Sequence, residues 1–340
     1  MKKENVFVGN LIVDKDSVID YTEVTGYIDV QASFNLKAPE LRTVGGSIHV
    51  RENAGFRAPA LKIVGGSVYA LANSYLKSPA LKITGESIHV WENSELETTS
   101  LKTVGGYVAV WGKVELPALN TVVGFVNIRA NAKVDAPELK TVGIYVYVRE
   151  KAEMKAPALS TVGWCIEAQA NANLETNKEI KLNVPGVEDE CRRELMREFE
   201  AEGYSFADGI LAKIVSRRGN VWRVVVCGET EVSYVVSNGD AYSHGKTLEE
   251  ARDSLMYKIS SRDTSKFKTW TLDRVVSKAE AIEAYRVITG ACEAGVRQWM
   301  EQHKTPDQTT VKGIIELTKD AYGNKEFAEF FRTGKALTPK

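Results

Sequence analysis

The sequence predicts a parallel β-solenoid over its first half, followed by an α+β domain and a helical C-terminal region. Three observations predict the solenoid. Leucine recurs at Leu41, Leu61, Leu81, Leu101, Leu119, Leu139 and Leu159, at spacings of 20, 20, 20, 18, 20 and 20 residues. Three residues after each leucine stands Val44, Val64, Thr84, Val104, Val122, Val142 or Val162, and glycine follows in every case but that of Val122, where Val123 stands. Each coil then enters a short alternating stretch such as Ser47-Ile48-His49-Val50-Arg51. A fixed period is the mark of a repeat architecture, and alternation with period two is that of a strand buried on one face.

The array is predicted to run from about residue 16 to 176, inside a first domain of 1–176, with Tyr21 to Val30 as its first coil. Besides the leucine and valine columns, three apolar columns point inward. One begins Ile48, Val68, Ile88, the next Val50, Ala70, Val90, and the third Leu36, Phe56, Leu76. These few side chains cannot offset the entropy of ordering one coil, so the coils fold only as a stack. Asn53, Asn73, Asn93, Asn131 and Asn171 share one phase after the strand and read as turn residues, since asparagine tolerates left-handed backbone. Lys151 interrupts that series, and the 18-residue coil lacks the position.

The pattern L-x-x-P-x-L-x-x-V-G-G-x-[IV]-x-V-x-x-N resembles the leucine-rich-repeat-like β-solenoids of bacterial and phage proteins, over about half the chain. It departs from the standard leucine-rich repeat in its short period and in lacking helical residues between strands. The resemblance implies macromolecular binding. It also implies a phage product whose partner is a host protein, such as a defence component.

Residues alternating with the inward columns face outward. They place Tyr69, His89, Trp91, Tyr107, Trp111 and Tyr147 on one sheet face, with Phe125 and Tyr145, flanked by Arg51, Arg129 and Arg149. Trp, Tyr and Arg are the residues most enriched at interface hot spots, so this ladder is the candidate partner-binding site. The alternatives are cross-strand stacking that only supports the sheet, and cover by the chain's own C-terminal half. His49 and His89 lie two coils apart, too far to share a metal ion.

After Leu174 the repeat stops. Asn183-Val184-Pro185-Gly186 reads as a boundary, and a second domain of 187–262 reads as αβββα: a helix from Glu188 to Glu202, strands Ile210–Ser216, Val221–Cys227 and Glu231–Val236, and a helix capped by Thr247 and Glu250. That order resembles a double-stranded-RNA-binding domain, but Glu249 and Glu250 stand where its lysines belong. Gly245 to Ala251 looks more like the small antitoxin-type βββα fold. The third region, 263–340, reads as helical, opening on the capping box Ser277 to Glu280.

For chemistry the sequence offers little. It contains no nucleophile elbow, phosphate loop, zinc-protease motif or dinucleotide fingerprint. Asp240 with His244 in one loop, and Cys292, are the weak catalytic candidates. Lys258, Arg262, Lys266 and Lys268, interleaved with Tyr257, Phe267 and Trp270, form the candidate nucleic-acid site. The net charge of -1 gives no global attraction to nucleic acid or membrane. No apolar run spans a membrane, no secretory signal is visible, and the four dispersed cysteines fit a reducing cytoplasm. The expectation is a non-enzymatic, cytoplasmic protein-binding protein without cofactor or metal, with homo-oligomerisation open. A nucleic-acid binder and an enzyme with an unfamiliar C-terminal site are the alternatives.

Overall fold

A computed structural model describes residues 5–239, 241–259, 263–291, 306–319 and 323–333, and single residues 296, 299, 300, 303 and 321. It divides into two compact units, 1–203 and 204–340.

The first unit is a parallel β-solenoid of three nine-stranded sheets. Sheet 1 runs from Val6–Phe7 through Glu23–Val24 to Thr161–Val162, sheet 2 from Leu11–Val13 to Cys165–Ala168, and sheet 3 from Ser17–Val18 to Asn173–Thr176. Register follows the sequence period: Val68 pairs with Ile88, twenty residues on, and Val108 pairs with Val126, eighteen residues on. The short coil loses its residues at the turn after Val110, where Gly112 passes so close to the previous coil that a Cβ would sit 2.7 Å from the Trp91 carbonyl oxygen. The predicted inward columns form one continuous core, with Leu41, Val44, Ile48, Val50 and Phe56 all fully buried. Nine coils at ~4.8 Å per strand spacing make this a rod roughly 43 Å long.

Two expectations are corrected here. The array begins a coil earlier than predicted: Val6 pairs with Glu23 and Leu11 with Ile28, at a spacing of 17 that hides this coil from a search for period twenty. The left-handed turn residue is Asn53, Asn73 and Asn93 as expected (φ 58°, 59° and 57°), but in later coils it moves one place upstream. There Ala130 (φ 59°) and Glu150 (φ 61°) carry it, and Asn131 does not.

Helix α1 (Val187–Ala201) belongs to the first unit, whereas the sequence reading grouped it with the strands that follow. It lies across the outer face of sheet 1, where Ile63, Ile83, Thr103 and Thr121 are buried although they point away from the solenoid interior. Thr121 Oγ1 donates to Glu194 at 2.8 Å, and Lys62 and Lys82 both reach Glu202. Burial pushes the Glu202 carboxyl up, but the two lysines outweigh it and hold it below the ordinary range. The repeated glycine has its reason here. At Gly143 a Cβ would lie 1.9 Å from the Val123 carbonyl oxygen and 3.3 Å from the Glu188 backbone. At Gly143 no side chain fits against the preceding coil, although Val123 holds the same column in that coil.

The second unit opens with an antiparallel half-barrel of five strands: Tyr204–Ala207, Ile210–Arg218, Val221–Val226, Val232–Ser237 and Tyr242–Gly245. The three predicted strands are present, and two short flanking ones are added. Helix α2 (Leu248–Ile259) packs Ala251 and Leu255 against Val236. Helix α3 (Lys278–Thr289) starts at the expected capping box, in which Ser277 and Glu280 exchange hydrogen bonds. It buries Tyr285 and Ile288 against Phe327 and Phe330 of the helix Asn324–Thr333.

Candidate functional site

The outer face of sheet 2 brings the predicted partner-binding residues together. Hydrogen bonding explains where the rings stand. In the first outward column Ser47, Ser67 and Ser87 each accept the backbone N–H of the next coil's residue, at 3.0, 3.2 and 3.1 Å. While serine holds that column, the rings occupy the neighbouring one as His49, Tyr69 and His89, stacked with centroids 4.6 and 4.5 Å apart. Where Ala109 and Asn127 replace them, the rings cross to the first column as Tyr107, Phe125 and Tyr145, stacked at 4.4 and 4.7 Å. Tyr27 joins one end edge-on at 6.3 Å, and Tyr147 stacks at 4.1 Å on Tyr145 at the other. The result is a continuous line of rings at the strand spacing.

This geometry divides the predicted residues into two groups. In the ladder the ring faces are largely occupied by neighbours: Tyr69 is stacked on both sides, His89 stacks on Tyr69 and meets Tyr107 edge-on, and Tyr107 and Tyr147 stack on Phe125 and Tyr145. Arg149 is laid over the Tyr147 ring at 4.5 Å. Arg51 is held by Asp29 through paired hydrogen bonds of 2.8 and 2.9 Å. Burial raises the Asp29 carboxyl, but the hydrogen bonds and charge of Arg51 outweigh it and hold the group below its ordinary range. His49 beside them is pushed down, chiefly by burial. Asp29 and the stacking role of His49 escaped sequence reading, although both lie at the right phase of the repeat.

The second group is Trp91, Trp111 and Arg129, in the outermost column. Trp91 and Trp111 stack on each other at 5.1 Å, with Leu71 one coil before and Arg129 one coil after. Trp91 remains 43 % exposed, the most exposed of the predicted anchors. Arg129 Nε donates to Asn127 at 3.2 Å, which aims the guanidinium along the face.

The candidate nucleic-acid residues are not brought together. Lys258 is buried, its ammonium paired with Asp208 and donating to the Tyr242 carbonyl at 3.0 Å. This corrects its assignment to a surface patch: a buried, paired lysine cannot meet a phosphate. Phe267 and Trp270 are core residues rather than stacking platforms, and Arg286 lies over Tyr257 at 5.4 Å. Lys266 is paired with Glu283 at 2.8 Å, Lys268 is exposed, and Arg262 lies outside the described residues. Asp240 and Cys292 also lie outside them. His244 is fully buried beside Asp208 and Lys258, and burial pushes its imidazole down to about 4.

Among the described residues no helix is long and apolar enough to cross a membrane. Compared with protein-family models, curated proteins and solved structures, the chain matches none.

Proposed function

We propose that this protein is a non-enzymatic binding protein that docks a partner protein on the outer face of sheet 2. The observation that carries the reading is the stacked Trp91–Trp111 pair, Trp91 exposed and Trp111 half-buried, between Leu71 and Arg129 on a sheet that nine coils make rigid. Large aromatic and arginine side chains on a preorganised surface lose little entropy on binding and bury much area. The ring ladder supports this role indirectly, since stacked rings stiffen the platform beneath the anchors.

The leucine-rich-repeat-like resemblance extends the proposal to a phage-encoded product acting in the host cytoplasm, where the partner is a host protein that it inhibits or sequesters. The test is affinity capture from bacterial lysate, with nuclease present, by wild type and by Trp91→Ala/Trp111→Ala/Arg129→Ala. A protein retained by wild type, lost by the variant, and binding purified wild type directly supports the reading. Equal capture by the two removes the face from consideration.

A further inference from the structure

The hairpin of the second unit carries a separate feature. From Ile210 to Gly228 the chain has four cations, Lys213, Arg217, Arg218 and Arg223, and no carboxylate, in a protein whose net charge is -1. All four are exposed. The strands Ile210–Arg218 and Val221–Val226 are joined by Gly219-Asn220, with Gly219 at φ 61°, as the first position of a type II′ hairpin turn requires.

The register decides which way the cations point. Lys213 pairs with Val225 and Arg218 with Val221, so both lie on the face that Arg223 shares with Val221 and Val225. Lys213 and Arg218 are five positions apart, an odd number that would set them on opposite faces of a regular strand. A β-bulge between Ile214 and Ser216 leaves Val215 unpaired and reverses the phase. The bulge thus assembles Lys213, Arg223 and Arg218 into one row, roughly 14 Å long at ~3.4 Å per residue. Arg217 falls on the other face, over the Trp222 ring at 4.6 Å.

We propose that the row Lys213–Arg223–Arg218 is a sequence-independent contact for the phosphate backbone of nucleic acid. Arginine forks suit phosphate oxygens, and three cations in one row can neutralise about three phosphates. This site is distinct from the solenoid face and does not depend on that reading.

The experiment titrates the full chain against a labelled mixed-sequence DNA duplex at ~50 and ~200 mM salt. Three neutralised phosphates predict a log–log salt slope near -2.7, hence a loss of about 40-fold in affinity over that range. Lys213→Gln/Arg218→Gln/Arg223→Gln should lose most of the affinity and of the salt dependence. Arg218→Gln alone, which leaves the sheet otherwise intact, should flatten the slope by about one. Arg217→Gln and the Trp91/Trp111/Arg129 alanine variant should bind as wild type does. The proposal is overturned if wild type does not bind at low salt, if the triple variant binds equally tightly, or if Arg217→Gln weakens binding as much. It is equally overturned if polyglutamate is bound in place of the duplex.

Discussion

His244 offers a direct measure of what burial does in the second unit. Among the described residues neither ring nitrogen has a hydrogen-bond partner, and the ring is packed beside the Asp208–Lys258 ion pair. Burial and the Lys258 charge disfavour the imidazolium, and Asp208 only partly offsets them, so the folded value falls from the ordinary 6.5 to about 4. The unfolded chain therefore takes up a proton before the folded one does. Stability from this group is complete above the unfolded value and drains away as pH falls from about 6.5 to about 4, a loss of about 3 kcal/mol. His244→Phe keeps a ring and removes the titration. It should lose that much less stability over the window, and at neutral pH it should be at least as stable as wild type, because an unpartnered buried polar group costs about 1–3 kcal/mol. Urea unfolding of both proteins across the window reads the difference, and imidazole NMR, with only four histidines, locates the titration. Parallel loss in the two proteins, or a His244 that titrates near 6.5, would refute the reasoning.

Three further outcomes follow from the solenoid. Ala130→Asn places a residue that tolerates left-handed backbone at φ 59°, and should raise stability by about 1 kcal/mol in thermal melts. Gly143→Ala drives a methyl group into the Val123 carbonyl of the preceding coil, and should cost more than about 2 kcal/mol or abolish soluble expression. Tyr69→Ala and Phe125→Ala each remove a ring stacked on both sides and should cost about 1–3 kcal/mol, whereas Trp91→Ala, in the outermost column, should cost under about 1 kcal/mol. Equal losses at the three positions in denaturant melts would erase the distinction drawn between ladder and anchors.

The sequence by itself determined the solenoid because its contacts lie one period apart. When Val68 pairs with Ile88, the spacing that reveals the repeat is the spacing of the contact itself, and alternation settles which side chains enter the core. The same logic placed Trp91, Trp111 and Arg129 on one outer face. It failed at the first coil, where a spacing of 17 broke the period. Tertiary structure alone decided the direction of the rings, because phase assigns a ring to a face but not its plane, and the close stack forms only when neighbouring coils are in register. It also decided the seat of α1, whose amphipathic face names no partner. In the second unit the contacts of antiparallel strands vary in separation and leave no period. A single unpaired residue, Val215, set the faces of the cations after it, and the burial of Lys258 came from Asp208, fifty residues away. Neither relation is local, so neither is written in any short stretch of the chain.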